Sequence, residues 1–182
     1  MVLQIIAKLT RGETILPADS TKDKRIDIDS ESDMVDAENI ENNASTQHLE
    51  APVNVIYQTA EDGLGDTIKP RLLAAGADCT KVMVIDDSEQ PLTMADVRLE
   101  EAIVQTKARM VVLDPIQGFL GSEVDMHRAN EIRPLMKRIA VLAEKYHCAI
   151  ILIGHMNKNS NGKSSYRGLG SIDFQAAARS VL

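Results

Sequence analysis

Three short polar clusters each follow an apolar run in this 182-residue chain. VNVIYQTA runs into Glu61-Asp62-Gly63, RMVVL into Asp114-Pro115, and AIILI into Gly154-His155-Met156-Asn157-Lys158. An acid closing one strand and an acid closing its neighbour suit the splitting of a phosphoanhydride. One carboxylate holds a hydrated Mg²⁺ on the phosphates, and the other takes a proton from, or orients, the attacking water. A histidine or amide on the next strand can then report the terminal phosphate. Each cluster also has a plainer structural explanation. Glu61 and Asp62 could be acids favoured by a helix N-terminus, Asp114 a capping residue, and His155 a satisfied histidine at a strand end. Asp86 and Asp87, after a further apolar run, read as turn residues. It is the recurrence at successive strand ends that favours a shared site.

That site requires strands lying side by side. Val53 to Ala60, Lys81 to Ile85, Arg109 to Leu113 and Ala149 to Ile153 read as strands, the last two apolar enough to be buried on both faces. Between them lie helical stretches. Asp66 to Ala75 carries Pro70 in its first turn and ends at Gly76. Met94 to Lys107 places Val97, Ala102, Ile103 and Val104 on or near one face. Arg128 to His147 repeats Ile132, Leu135, Met136, Ile139, Leu142 and Ala143 at three- and four-residue spacings. Strands joined by helices of ten or more residues cannot be hairpins. They build a parallel sheet by right-handed crossovers with helices on both faces, so the fold class is α/β. Ligands of such sheets bind beyond the carboxyl ends of the strands, where the three clusters fall.

Composition excludes several classes. Hydrophobic residues make up 44% and charged residues 26%, a globular balance, and no apolar run approaches the roughly 18–20 residues that span a bilayer. No secretory leader is read, and Cys79 and Cys148 read as reduced thiols of a cytoplasmic protein. Four histidines and two cysteines, widely scattered, show no zinc spacing. The net charge of −7 is uneven: residues 22–50 hold nine acids against three bases. Residues 20–51 therefore read as an acidic flexible insertion in a single domain spanning 1–182. From Lys158 to Arg179 the balance turns to +3, with Lys158, Lys163, Arg167 and Arg179 against Asp173. Lys158, Lys163 and Arg167, with Tyr166 able to stack on a base, are candidates for contact with DNA phosphates, or are simply a solvated loop.

In order, NVIYQTAEDGLGDTIKPRLLAAGAD, MVVLDPIQGFLG, AIILIGHMNK and YRGLGSIDFQAAARSVL resemble the RecA-like P-loop ATPases, nearest the RepA-type replicative helicases. The resemblance spans residues 1–18 and 52–182. It implies a three-layer RecA-like core with a mainly parallel sheet, ATP as substrate, Mg²⁺, DNA as a partner, and a hexameric ring with nucleotide sites between subunits. It implies that Glu61 polarises water and that Asp114 is the Walker B aspartate, touching Mg²⁺ through water. His155 is then the sensor, Arg179 the arginine finger offered to a neighbour, and Asp62 and Asn157 line the nucleotide. Gly168 and Gly170 match a loop facing the central channel or the subunit interface.

One element is missing. GxxxxGK[ST] does not occur in the 182 residues; Gly162-Lys163-Ser164 has Asn157 where the first glycine should stand. Met1 to Thr10 has the apolar spacing of the helix that follows a phosphate loop, and RGETILP matches the turn beyond it. The chain is therefore expected to begin just after the first strand and Walker A loop, to end as a further strand starts at Val181-Leu182, and to leave the edge at Ile150 to Ile153 unpaired. Two functions are consistent with these expectations: the ATPase core of a hexameric DNA helicase or related motor, inactive as this fragment, or a non-catalytic interaction module. A dinucleotide-binding protein is a poor third, since no GxGxxG follows a strand.

Overall fold

The computed structural model describes residues 1–15, 51–154 and 172–181. In chain order the elements are α1 (Val2–Arg11), β1 (Val55–Thr59), α2 (Lys69–Ala74), β2 (Val82–Met83), α3 (Val97–Thr106), β3 (Met110–Asp114), α4 (Ala129–Lys145), β4 (Ala149–Leu152) and α5 (Ile172–Ala177). The four strands form one sheet in the order β2-β1-β3-β4, every pairing parallel.

Alternation along the strands divides the core into two halves. Ile56, Val111 and Leu113 point to one face and pack with Leu99 and Ile103 of α3 and Ile132 and Ile139 of α4. Val55, Tyr57, Met110 and Val112 point to the other, against Ile6 and Ala7 of α1 and Leu72 of α2. Helices thus cover both faces, which is the three-layer α/β arrangement expected for a RecA-like P-loop core. β4 pairs with β3 and, among the described residues, with no second strand, so Ile150 to Leu152 are only partly buried.

Local chemistry sets the element boundaries. α1 ends at Gly12, in the left-handed region at φ 73°, with the N–H of Glu13 donating to the carbonyl of Lys8; glycine adopts this conformation without a Cβ penalty. α2 is preceded by a π-helical turn (Leu64–Ile68), carries Pro70 at its start, and gives way to Gly76 at φ 79°. α3 begins three residues later than the apolar pattern implies, because the Asp96 carboxylate accepts the N–H of Arg98 at 2.9 Å and caps the helix there. Ile103 is buried with Leu99, and Ala102 packs against the same cluster, as expected, while Val97 and Val104 are 56% and 51% exposed. The expectation for the two valines is therefore corrected, since positions 97 and 104 lie one repeat apart on the side away from 99 and 103. In α4, Ile132, Met136, Ile139 and Leu142 are buried at the expected spacings.

β2 is two residues long where five were expected, and a buried side chain explains the difference. Gln58 of β1 is 1% exposed. Its Nε2 donates to the carbonyl of Ile85 and to the Asp87 carboxylate, each at 3.0 Å, and its Oε1 accepts the N–H of Ile85 at 3.0 Å. The amide thereby takes over the pairing that a longer strand would supply. Asp86 is the turn residue expected, accepting from the N–H and hydroxyl of Ser88, whereas Asp87 also helps hold Gln58. Near the other end of the chain Ile172–Ala177 make α5, which packs on α4 and inserts Phe174 into the α3–α4 side of the core. Of the strand expected to start at Val181-Leu182, Val181 is not in a strand and Leu182 lies outside the described residues.

Gln58→Leu keeps the volume but strands the backbone N–H and carbonyl of Ile85. The expected loss of stability is about 2 kcal/mol, from burying unsatisfied groups. Urea unfolding checks this, and an unchanged midpoint would show that the amide does not hold β2 in place.

Candidate active site at the carboxyl edge of the sheet

β1 and β3 share five rungs, from Val55 opposite Met110 to Thr59 opposite Asp114. Both strands therefore finish together, and the loops that continue them lie side by side. The N–H of Ala60 donates to the Asp114 carbonyl at 3.0 Å, continuing the ladder past the last strand residue. Gly118, in the turn after β3, faces the side chain of Ala60, and a Cβ on Gly118 would overlap it. The two loops close on each other only because residue 118 is glycine.

Asp114 projects to the α1–α2 face, as do Tyr57 and Thr59. Its carboxylate is partly buried and accepts a hydrogen bond from the Tyr57 hydroxyl at 2.7 Å. Burial, helped by that bond and by the negative charge of Asp114, raises the Tyr57 phenol well above its ordinary pKa. It therefore stays protonated and donating at any pH where the chain would work. The bond engages one carboxylate oxygen and leaves the other without a donor among the described residues.

Beyond Thr59 the chain turns sharply. The Thr59 hydroxyl oxygen accepts the N–H of Asp62 at 3.1 Å and, more weakly, that of Glu61 at 3.4 Å. Both acids are exposed, and Asp62 pairs with Arg71 of α2 at 3.1 Å. The Gly63 carbonyl then accepts the N–H groups of Thr67 and Ile68, starting the π turn. Glu61, Asp62 and Asp114 are thus brought to one edge, as their positions after adjacent strands implied. Beside them a depression of about 520 Å³ lies between the loops after β2 and β3, lined in part by Leu92, Thr93, Gln117 and Gly121.

Arg179 is exposed and lies just beyond α5. Since α5 belongs to the α3–α4 layer, this arginine and the Asp114 carboxylate sit with opposite layers of the fold. His155, Asn157, Lys158, Lys163, Arg167, Gly168 and Gly170 fall outside the described residues, as does the acidic stretch through Glu50. Tyr57 belongs to none of the clusters that the sequence marks. Its only signal is an aromatic hydroxyl two residues before a strand end, which acquires meaning once the register sets it diagonally across from Asp114.

The residues present fit the metal side of a nucleotide site in part. No group of three metal-ligating side chains occurs among the described residues. Asp114, with one oxygen uncommitted, suits a hydrated Mg²⁺ on phosphates rather than a protein cage. Backbone that would wrap phosphates is not found among the described residues. No helix among them is long and apolar enough to cross a membrane.

Residues 39–161 match the family model described as AAA domain. No curated protein matches the chain.

Tyr57→Phe removes the donor and is expected to cost about 1.5–3 kcal/mol, as for a bond to a charged group. The linked pH dependence has a definite sign. A raised folded pKa gives stability that is full below the unfolded value near 10 and is lost as pH rises through the folded value. Wild type should therefore lose stability in alkali more steeply than Tyr57→Phe. Parallel alkaline limbs in thermal unfolding would show that the phenol is not so held.

Proposed function

The chain belongs to the AAA-domain family of P-loop ATPases, and from that premise we propose that it is the ATP-hydrolysing core of a RepA-like hexameric DNA helicase or related replication motor. Domains of this family bind ATP and Mg²⁺. The observation that carries the reading is the shared final rung of β1 and β3, which sets Asp114 beside the turn bearing Glu61. Mg²⁺ supplies charge neutralisation on the phosphates when bound. Asp114 would hold its hydration water, steadied by Tyr57, while Glu61 takes the proton of the attacking water and Asp62 borders the nucleotide. His155 would report the terminal phosphate, and Asn157 would line the nucleotide. Arg179, exposed and always charged, would reach the nucleotide of a neighbouring subunit, consistent with its place in the opposite layer. Lys158, Lys163 and Arg167 would meet DNA.

The absence of GxxxxGK[ST] from the 182 residues favours a second reading, an interaction module that assembles without turnover. The two readings differ in what restores activity. The chain as given is expected to release phosphate at background rate, because the GxxxxGK[ST] loop whose N–H groups and Lys would cradle the phosphates does not occur in its 182 residues. Adding a strand and a P-loop ahead of Met1 should restore turnover if this is a motor core. Turnover abolished by Asp114→Ala in the unextended chain would overturn the need for that loop.

In the extended chain, Glu61→Gln should bind nucleotide yet lose hydrolysis at least tenfold, since an amide accepts no proton. Asp114→Asn should also weaken Mg²⁺-dependent binding. Arg179→Ala should lose turnover while retaining nucleotide. Mixing Arg179→Ala with Glu61→Gln should recover activity, since some interfaces then pair an intact Glu61 with an intact Arg179. Steady-state phosphate release checks the turnover of each, and no recovery in demonstrably mixed assemblies would remove Arg179 from a role in trans.

A further inference from the structure

The outer side of the α3–α4 layer holds a feature that nucleotide chemistry does not use. A groove of about 440 Å³ runs between these helices, lined in part by Glu100, Lys137, Arg138, Val141 and Lys145. Its acid is already engaged: Glu100 accepts from Lys145 at 2.9 Å and from the Tyr146 hydroxyl at 2.6 Å. Arg138 lies near enough to Asp96 and Glu100 for its charge to favour their ionised forms, yet its Nε is buried with no hydrogen-bond partner among the described residues. A buried donor left without an acceptor is costly unless something supplies one. Val141 in the groove and Val97 and Val104 on α3 are 51%, 56% and 51% exposed, so cations sit beside uncovered apolar surface. The surface asks for a ligand with carboxylates and intervening aliphatic side chains.

The chain itself carries that chemistry. Residues 22–50 hold nine acids against three bases and include Ile26, Ile28, Met34, Val35 and Ile40 among them. The segment re-enters the fold between the two helix layers: the Val53 N–H donates to the Leu9 carbonyl of α1 at 3.1 Å, and the Asn54 side-chain amide donates to the Thr106 carbonyl at 2.7 Å, at the C-terminal end of α3. From Asn54 back to Asp36 the chain can extend roughly 60 Å, at about 3.3–3.6 Å per residue. The ten residues of α3 are only about 15 Å long. Reach is no obstacle.

We propose that the α3–α4 groove is the docking surface for the chain's own acidic segment, residues 22–50, with Arg138 and Lys137 taking its carboxylates and the exposed valines its aliphatic side chains. A zero-length carbodiimide, which joins amine to carboxylate only in contact, tests this on the full chain prepared as an equal mixture of isotopically light and heavy protein. Peptide mapping should find Lys137 joined to residues 22–50 several-fold more often than Lys8, Lys69 or Lys107, within single copies, with the excess lost in high salt. Arg138→Gln, which leaves both joined groups intact, should reduce that excess several-fold. Arg138→Lys should largely keep it, which separates loss of charge from loss of fold, and circular dichroism checks that both variants remain folded. Joining spread evenly over the lysines, or unchanged in folded Arg138→Gln, overturns the proposal. Links found only between light and heavy copies also overturn it, since the occupant would then be a second molecule.

Discussion

In a parallel sheet, two strands that begin on the same rung and have equal length must end on the same rung. The pairing of Val55 with Met110 therefore already decides that Thr59 and Asp114 finish together. The ladder is strongly specified, because a slip by one residue would turn Tyr57 and Val112 out of the α1–α2 core and Gln58 into it. Everything proposed for the site rests on that register. It sets the Tyr57 hydroxyl diagonal to the Asp114 carboxylate, and it brings the turn bearing Glu61 alongside the loop whose Gly118 admits Ala60.

The sheet also separates tasks between its faces. On the α1–α2 side a buried hydroxyl steadies a carboxylate with one oxygen uncommitted, the arrangement suited to a hydrated cation. On the α3–α4 side the strands carry Ile56, Val111 and Leu113 into a purely apolar contact, apart from Gln58, which spends its polarity on β2. α5 joins this second layer through Phe174, and the exposed Arg179 follows it in the chain.

Much of this was legible in the sequence, and the parts that were not share a cause. Continuous apolar runs such as MVVL identify buried strands, and the three- and four-residue spacing of Ile132, Met136, Ile139 and Leu142 identifies α4, because burial itself imposes those patterns. The clusters after β1 and β3 could be assigned to one edge because topology alone puts them there. What failed depended on a single side-chain bond. The Asp96 cap shifts the start of α3, and both of its valines, expected inside, lie outside the core. The Gln58 amide shortens β2 by substituting for it, and Tyr57 gains its role only from a cross-strand partner 57 residues away. α5 has too few residues for a periodic signal; its docking on α4 defines it.

The chain contains no tryptophan and three tyrosines, Tyr57, Tyr146 and Tyr166, so its native ultraviolet emission comes from phenols alone. An ionised carboxylate that accepts the proton of a phenol drains the excited state and dims the ring. Tyr57 is in that position against Asp114, and Tyr146 against Glu100. A cation held at Asp114 would compete for the same electron density and weaken the acceptor, so Tyr57 would brighten if such a site filled. The hydroxyl that steadies the aspartate would therefore also make any cation there visible as light, from the protein's own residues and without a label.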